Sequence, residues 1–150
     1  MFDYNNLNYA CPKCNINKGT KYDEKMINPS VEDPEKHIYF KGDLAKAYDE
    51  RGQIMIDVLD LNNSERTREK VNLLKGLQKD INEIIMKYKK VDNKSNDWLI
   101  DFRNQIIKVI NKIRKHSRHG SKYCTMCKHN FVKSLKLLKE IVIKIDNRIQ

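Results

Sequence analysis

Long apolar runs are missing from this chain; no uninterrupted stretch exceeds four residues. A membrane-spanning helix needs about 20 such residues, so no membrane span is expected. The opening Met1-Phe2-Asp3-Tyr4-Asn5 is polar and lacks the apolar centre of a secretory leader, which makes the cytoplasm the expected compartment. Glycine is scarce, with five residues in 150, and no glycine-rich phosphate loop can be assembled from them. A Ser-centred nucleophile elbow and a His-Glu-x-x-His pair are absent as well. No histidine precedes His37. Aromatic residues make up 8% and apolar residues 39%, enough for a modest core, while 33% charged residues point to long solvated helices. One domain, or a small domain with an appendage, fits this length.

Cysteine is confined to four residues in two close pairs, Cys11-Pro12-Lys13-Cys14 and Cys124-Thr125-Met126-Cys127. Without a secretory signal, such pairs favour a reduced metal site over a disulfide framework. Two thiolates at this spacing can grip one tetrahedral Zn²⁺ at roughly 2.3 Å, and zinc then needs two more donors. The second pair supplies them with no cysteine left over, so Cys11, Cys14, Cys124 and Cys127 are the expected ligands of one structural zinc. Two unrelated thiol pairs remain the alternative.

The charge of +10 is unevenly placed. Residues 1–75 hold 12 Lys and Arg against 13 Asp and Glu, a net −1, whereas residues 76–150 hold 18 against 7, a net +11. A basic half of this size favours phosphate backbones over small defined ligands. Lys108, Lys112, Arg114, Lys115, Arg118 and Lys122 concentrate that charge, and Lys13 and Lys18 flank the first cysteine pair. The alternative is a set of lysine-rich helices with merely solvated faces.

Hydrophobic spacing divides the chain near residue 62. Residues 1–62 read as a short, irregular α/β region, with turn signals at Asn28-Pro29 and Asp33-Pro34. A strand is expected at His37–Phe40, a turn at Lys41-Gly42-Asp43, and a returning strand from Leu44 to Tyr48. Alternation of Ile54, Ile56 and Val58 predicts a third, half-buried strand. Residues 63–150 change to helical period. Leu74, Leu77, Ile81, Ile84 and Tyr88 share one face of a helix whose expected N-cap is Ser64. Leu99, Phe102, Ile106, Val109 and Ile113 mark a second helix over about 97–115. Phe131, Leu135, Leu138, Val142, Ile145 and Ile149 mark a third over about 127–148. The expected fold is therefore α+β but mostly α, a small zinc-stabilised region followed by a three-helix extension.

The run Asn6-Leu7-Asn8-Tyr9-Ala10-Cys11-Pro12-Lys13-Cys14-Asn15-Ile16-Asn17-Lys18-Gly19 resembles the second half of the HNH nuclease motif, the ββα-metal fold. The likeness continues through Met26–Pro29, Glu32–Phe40 and Asp57–Asn62, and so covers about residues 4–66, in the manner of the bacterial branch found beside defence genes and retrons. The resemblance implies a phosphodiester-cleaving nuclease using Mg²⁺ or Mn²⁺, with Asn15 as metal ligand at the start of the motif helix and Asn6 fastening its loop. Family members carry a first zinc knuckle and a catalytic His upstream of Asn-Leu; here only five residues precede Asn6. The implied nuclease is thus a truncated or split one, completed by another segment or by a protein partner, with DNA as the expected nucleic acid. His37 reads as a strand start, whereas His116, His119 and His129 are the candidates to replace the base. A non-catalytic zinc-containing protein that binds nucleic acid or another protein stays open beside it.

One zinc per chain is the first testable outcome. Metal analysis of the purified chain is expected to give one equivalent, and Cys→Ser at either pair is expected to release it, since half a tetrahedron holds zinc poorly. Full zinc retention after loss of one pair would separate the two pairs.

Overall fold

The computed structural model describes residues 16–21, 23–29, 31–118 and 123–149. They form two compact units that divide between Arg68 and Glu69. The described residues are mostly helical, with one small antiparallel sheet, so the chain is α+β and predominantly α. Among them no helix is long and apolar enough to cross a membrane.

Unit 1 is built on a hairpin of β1 (Ile38–Lys41) and β2 (Leu44–Ala47), followed by α1 (Glu50–Val58). Ile38 lies opposite Ala47 and Lys41 opposite Leu44, and Gly42 takes the left-handed φ of 63° that the turn requires. The free edge of β2 is closed by a side chain: Asn62 Oδ1 accepts from the Ala45 N–H at 2.8 Å, and Asn62 Nδ2 donates to the Ala45 carbonyl at 3.0 Å. One amide thereby stands in for a third strand and blunts the edge. Ile27, Ile38, Ala45, Met55 and Ile56 form the core, with Met26, Phe40, Leu59 and Leu61 packed around them.

The third strand expected from Ile54, Ile56 and Val58 is instead the helix α1. Asp49 is the reason. Its carboxylate accepts the Gly52 N–H at 2.8 Å, capping a helix start that alternation over a few residues does not register. Within α1 the buried pair is Met55 and Ile56, while Ile54 and Val58 are half-buried. Gly52 is fixed by space as well: a Cβ there would lie 2.2 Å from the His37 carbonyl oxygen.

Unit 2 contains the greater part of α2 (Ser64–Tyr88), then α3 (Asn96–Ser117) and α4 (Cys124–Ile149). The start of α2 is capped by Asn63 rather than Ser64, through the Arg66 N–H donating to Asn63 Oδ1 at 3.1 Å. Ser95 caps α3 through the Trp98 N–H. Lys112 meets Asp80 at 2.6 Å and Lys87 meets Gln105 at 2.7 Å, so α2 and α3 run antiparallel. Arg103 binds Asp146 at 2.5 Å, which joins α3 to α4. Leu77, Ile81, Ile106, Ile113, Met126, Leu138 and Ile145 are fully enclosed. Each such side chain contributes ~1.5–3 kcal/mol relative to exposure. The structure differs from the sequence pattern in places, among them Ile141, not Val142, at the α4 core position. Ile110, not Val109, fills the α3 core position, and α4 begins one turn early, at Cys124, so that Met126 and Cys127 join the core.

Gly52→Ala tests the close approach of α1 to the hairpin. A backbone carbonyl cannot yield as a flexible side chain does, so the variant is expected to lose about 3 kcal/mol in denaturant unfolding followed through unit 1. Wild-type stability in Gly52→Ala would disprove the contact.

Candidate functional site

The motif-bearing segment enters the described residues at Ile16, and residues 16–18 are helical. Gly19 ends that turn with a left-handed φ of 46°. Asn17 Nδ2 donates to the Leu59 carbonyl at 3.3 Å, and Arg66 Nη1 donates to the same oxygen at 3.1 Å. One carbonyl at the end of α1 therefore holds both the motif segment and the first turn of α2. Arg66 is nine-tenths buried, and its Nη2 has no hydrogen-bond partner among the described residues. Asn6, Cys11, Lys13, Cys14 and Asn15 lie outside the described residues, as do His119 and Lys122. Lys18 is described and half-buried.

Among the described residues of unit 1, a dense charged cluster surrounds His37. Its Nδ1 lies 2.5 Å from Asp49 Oδ2, and its Nε2 bonds Glu32 Oε1. Arg51 Nη1 donates to that same Glu32 oxygen at 2.6 Å, and Arg51 Nε donates to the Lys25 carbonyl at 3.0 Å. The elements explain the convergence. Pro34–Lys36 forms a single 3-10 turn capped by Asp33, which delivers His37 to the start of β1. Asp49 and Arg51 sit at the start of α1, and the Tyr48 N–H donates to the His37 carbonyl at 2.8 Å. His37 is thus gripped through its ring and its backbone.

Electrostatics follow the geometry. The bond to Asp49 first, and then that to Glu32, raises the His37 pKa against the opposing effect of burial. Arg51 first, with His37 behind it, holds Glu32 below the ordinary carboxylate range. Asp49 is lowered chiefly by the Gly52 N–H and then by His37. An imidazolium with both N–H groups donating has no lone pair with which to take a proton from water. With both nitrogens bonded to carboxylates, this ring is placed to fasten the segments around it. Glu32 lies in the Glu32–Phe40 block but nothing there announces its role, Asp49 and Arg51 lie in no block, and only the Asp49-to-Gly52 cap spacing signals the helix that brings them together.

In unit 2 the basic residues of α3 fall on two strips. Lys108, Lys112 and Lys115 recur at spacings of four and three, on the side where Lys112 reaches Asp80. Arg114 and Arg118 occupy another strip, and Arg114 borders α4 beside Lys139. Lys108, Arg114, Lys115 and Arg118 are exposed. Cys124 and Cys127 lie one turn apart in the first turn of α4, Cys124 half-buried and Cys127 buried. Burial, with Cys124 adding to it, pushes the Cys127 thiol up to about 11. As a donor set they match half of a tetrahedral zinc site; among the described residues no group of three or more His, Cys, Asp or Glu side chains is placed to hold a metal. His116 is in the last turn of α3 and His129 in the second turn of α4.

The chain is similar to the Septu protein PtuB of Bacillus thuringiensis, with 37% identity over 68 residues. That likeness covers 44% of this chain and 26% of the relative, so the chain matches about a quarter of the relative's length. No family model matches the chain, and no solved structure matches it.

The His37 cluster makes unit 1 pH-dependent, and the sign follows from the two directions of shift. His37 has a raised folded-state pKa, so its contribution is complete below the unfolded imidazole value and is lost as pH rises through the folded one. Glu32 and Asp49 are depressed, so theirs holds above the unfolded carboxylate values and is lost as pH falls through the folded ones. The thermal stability of unit 1 is expected to fall as the buffer is taken from about pH 6 towards pH 9, above the ordinary imidazole pKa. His37→Gln should flatten that alkaline slope. A wild-type slope retained by His37→Gln would assign it to other groups.

Proposed function

We propose that this chain is a nucleic-acid-directed protein of a bacterial defence system, the HNH-like part of an endonuclease that acts on phosphodiester bonds. The observation that carries the reading is the union, in one chain, of the HNH-like blocks over residues 4–66 with a half of net charge +11 folded as helices. The likeness to a Septu protein supports the defence setting. The basic helices hold the phosphate backbone, chiefly through the Lys108, Lys112 and Lys115 strip with Arg118 beyond it. Lys112 already shares its charge with Asp80.

In the motif segment, Asn15 would hold Mg²⁺ or Mn²⁺ through its neutral amide oxygen, and the bound ion would polarise the phosphate and stabilise the leaving oxygen. The anchoring of Asn17 and Arg66 on the Leu59 carbonyl positions this segment against α1 and α2. A protein partner at this site is part of the proposal.

A second reading, a non-catalytic nucleic-acid-binding protein, is favoured by the engagement of both His37 nitrogens. The two readings part in a simple pair of measurements. Duplex binding by the purified chain is expected to weaken steeply with salt. Replacing Lys108, Lys115 and Arg118 together by Ala is expected to flatten the log–log salt slope by up to about three units. Cleavage with Mg²⁺ or Mn²⁺ is expected to be weak in the isolated chain, because general-base help is worth about 10²–10⁴-fold and the His37 ring, bonded at both nitrogens, does not offer it. Asn15→Ala is expected to abolish what cleavage there is. Persistence of the residual activity in that variant would favour the non-catalytic reading, and an unaltered salt slope in the triple variant would remove the phosphate role of α3.

A further inference from the structure

We infer that the groove between α3 and α4 is a docking surface for an amphipathic helix with an acidic flank, carried by a protein partner. This surface is distinct from the lysine strip and does not depend on a nuclease activity.

The groove lies wholly within unit 2 and has a volume of about 300 Å³. Ile107 and Ile110 of α3 and Val142 and Ile143 of α4 line it, so its floor is branched and aliphatic. Ile110 is buried, but Ile143 is 59% exposed, and Ile100, two turns before Ile107 on α3, is 43% exposed. Neither residue is needed by the core: Leu99, Phe102, Ile106, Ile110 and Ile113 already fill the α3 face that packs inward. A half-exposed aliphatic groove with Ile143 at its rim, bordered by charge, is the kind of patch that marks an interaction site.

Charge decides the occupant. Arg114 and Lys139 border the groove from opposite helices, and neither has a carboxylate partner among the described residues. The nearest carboxylate contact across these helices, Asp146 on Arg103, is internally satisfied at 2.5 Å. The surface therefore offers an aliphatic floor for residues at i, i+3, i+4 and i+7 of a helix, with cations ready for Glu or Asp on its flank. A second copy of this chain fits poorly, because residues 76–150 carry +11 and would face like charge. Nucleic acid fits poorly too: no aromatic side chain lines the groove for a base to stack on, and phosphates gain nothing from aliphatic carbon.

The test titrates the full chain with a labelled peptide of about 18 residues, roughly five helical turns, carrying a Leu stripe flanked by Glu. A counterpart has the same stripe flanked by Lys. The Glu peptide is expected to bind at least about tenfold more tightly than the Lys peptide. Ile143→Glu, at an exposed position, is expected to weaken it by about tenfold, with an unchanged circular-dichroism melt. The double variant Arg114→Glu/Lys139→Glu is expected to reverse the preference between the two peptides, and it decides the matter should Ile143→Glu perturb folding. Equal affinity for both peptides, or an unreversed preference in the double variant, would overturn the proposal. So would wild-type binding by a well-folded Ile143→Glu chain. Sedimentation as a dimer that Ile143→Glu dissociates would give the groove to a second copy. Displacement of the Glu peptide by duplex DNA, with duplex binding lost in Ile143→Glu, would give it to nucleic acid.

Discussion

His37 is where the small amino-terminal unit is closed. Its ring joins the approach to the hairpin, through Glu32, to the head of α1, through Asp49. Its carbonyl accepts from Tyr48 and stands so near Gly52 that no side chain fits between them. Among the described residues this unit's core has five buried apolar side chains, and polar fastening of this kind adds definition to it. The same economy appears at Asn62, whose amide pairs with Ala45 where a larger sheet would add a strand. Leu59 does it a third time, one carbonyl receiving both Asn17 and Arg66.

Polar fastening of this kind is poorly legible in sequence, and that explains where expectation and structure part. The three long helices were readable because core packing repeats: Leu77, Ile81 and Ile84, then Leu99, Phe102, Ile106 and Ile113, then Phe131, Leu138 and Ile145 all lie buried where the spacing puts them. Over the nine residues of α1 the same rule fails, because Ile54, Ile56 and Val58 alternate while Met55 and Ile56 do the packing. The deciding fact there was one cap from Asp49. Helix ends were off by a residue or a turn for a related reason, since Asn63 and Ser64 are both good caps and the chain uses Asn63. Of the candidate site, the basic positions on α3 could be read and placed. The Glu32, Asp49 and Arg51 constellation could not, because it unites three segments through distances no local pattern encodes.

The carboxyl-terminal unit is governed instead by the geometry of one helix. On α3, residues three or four apart share a strip and neighbouring residues do not. Lys108, Lys112 and Lys115 therefore gather on the side facing Asp80, while Ile107 and Arg114 gather on the side facing Val142 and Lys139. The third side, from Leu99 to Ile113, is given to the core. A single α-helix thus presents three chemically different surfaces: packed aliphatic, solvated cationic, and half-exposed aliphatic with a cationic rim.

That division bears on how much of the net charge is available to phosphate. An ammonium held at 2.6 Å by Asp80 is already partly compensated and releases fewer counterions on binding. Arg103 with Asp146 and Arg148 with Asp92 are compensated in the same way. The formal +11 of residues 76–150 accordingly overstates the field on any one face. What remains includes Arg114 and Lys139, beside the groove that α3 shares with α4. Phosphate contact favours the fully solvated part of that charge, because a cation seated against aliphatic carbon is better matched by a partner that brings both apolar surface and carboxylate. Total charge draws an anionic partner near, and the side chains beside each cation select which kind of partner is held.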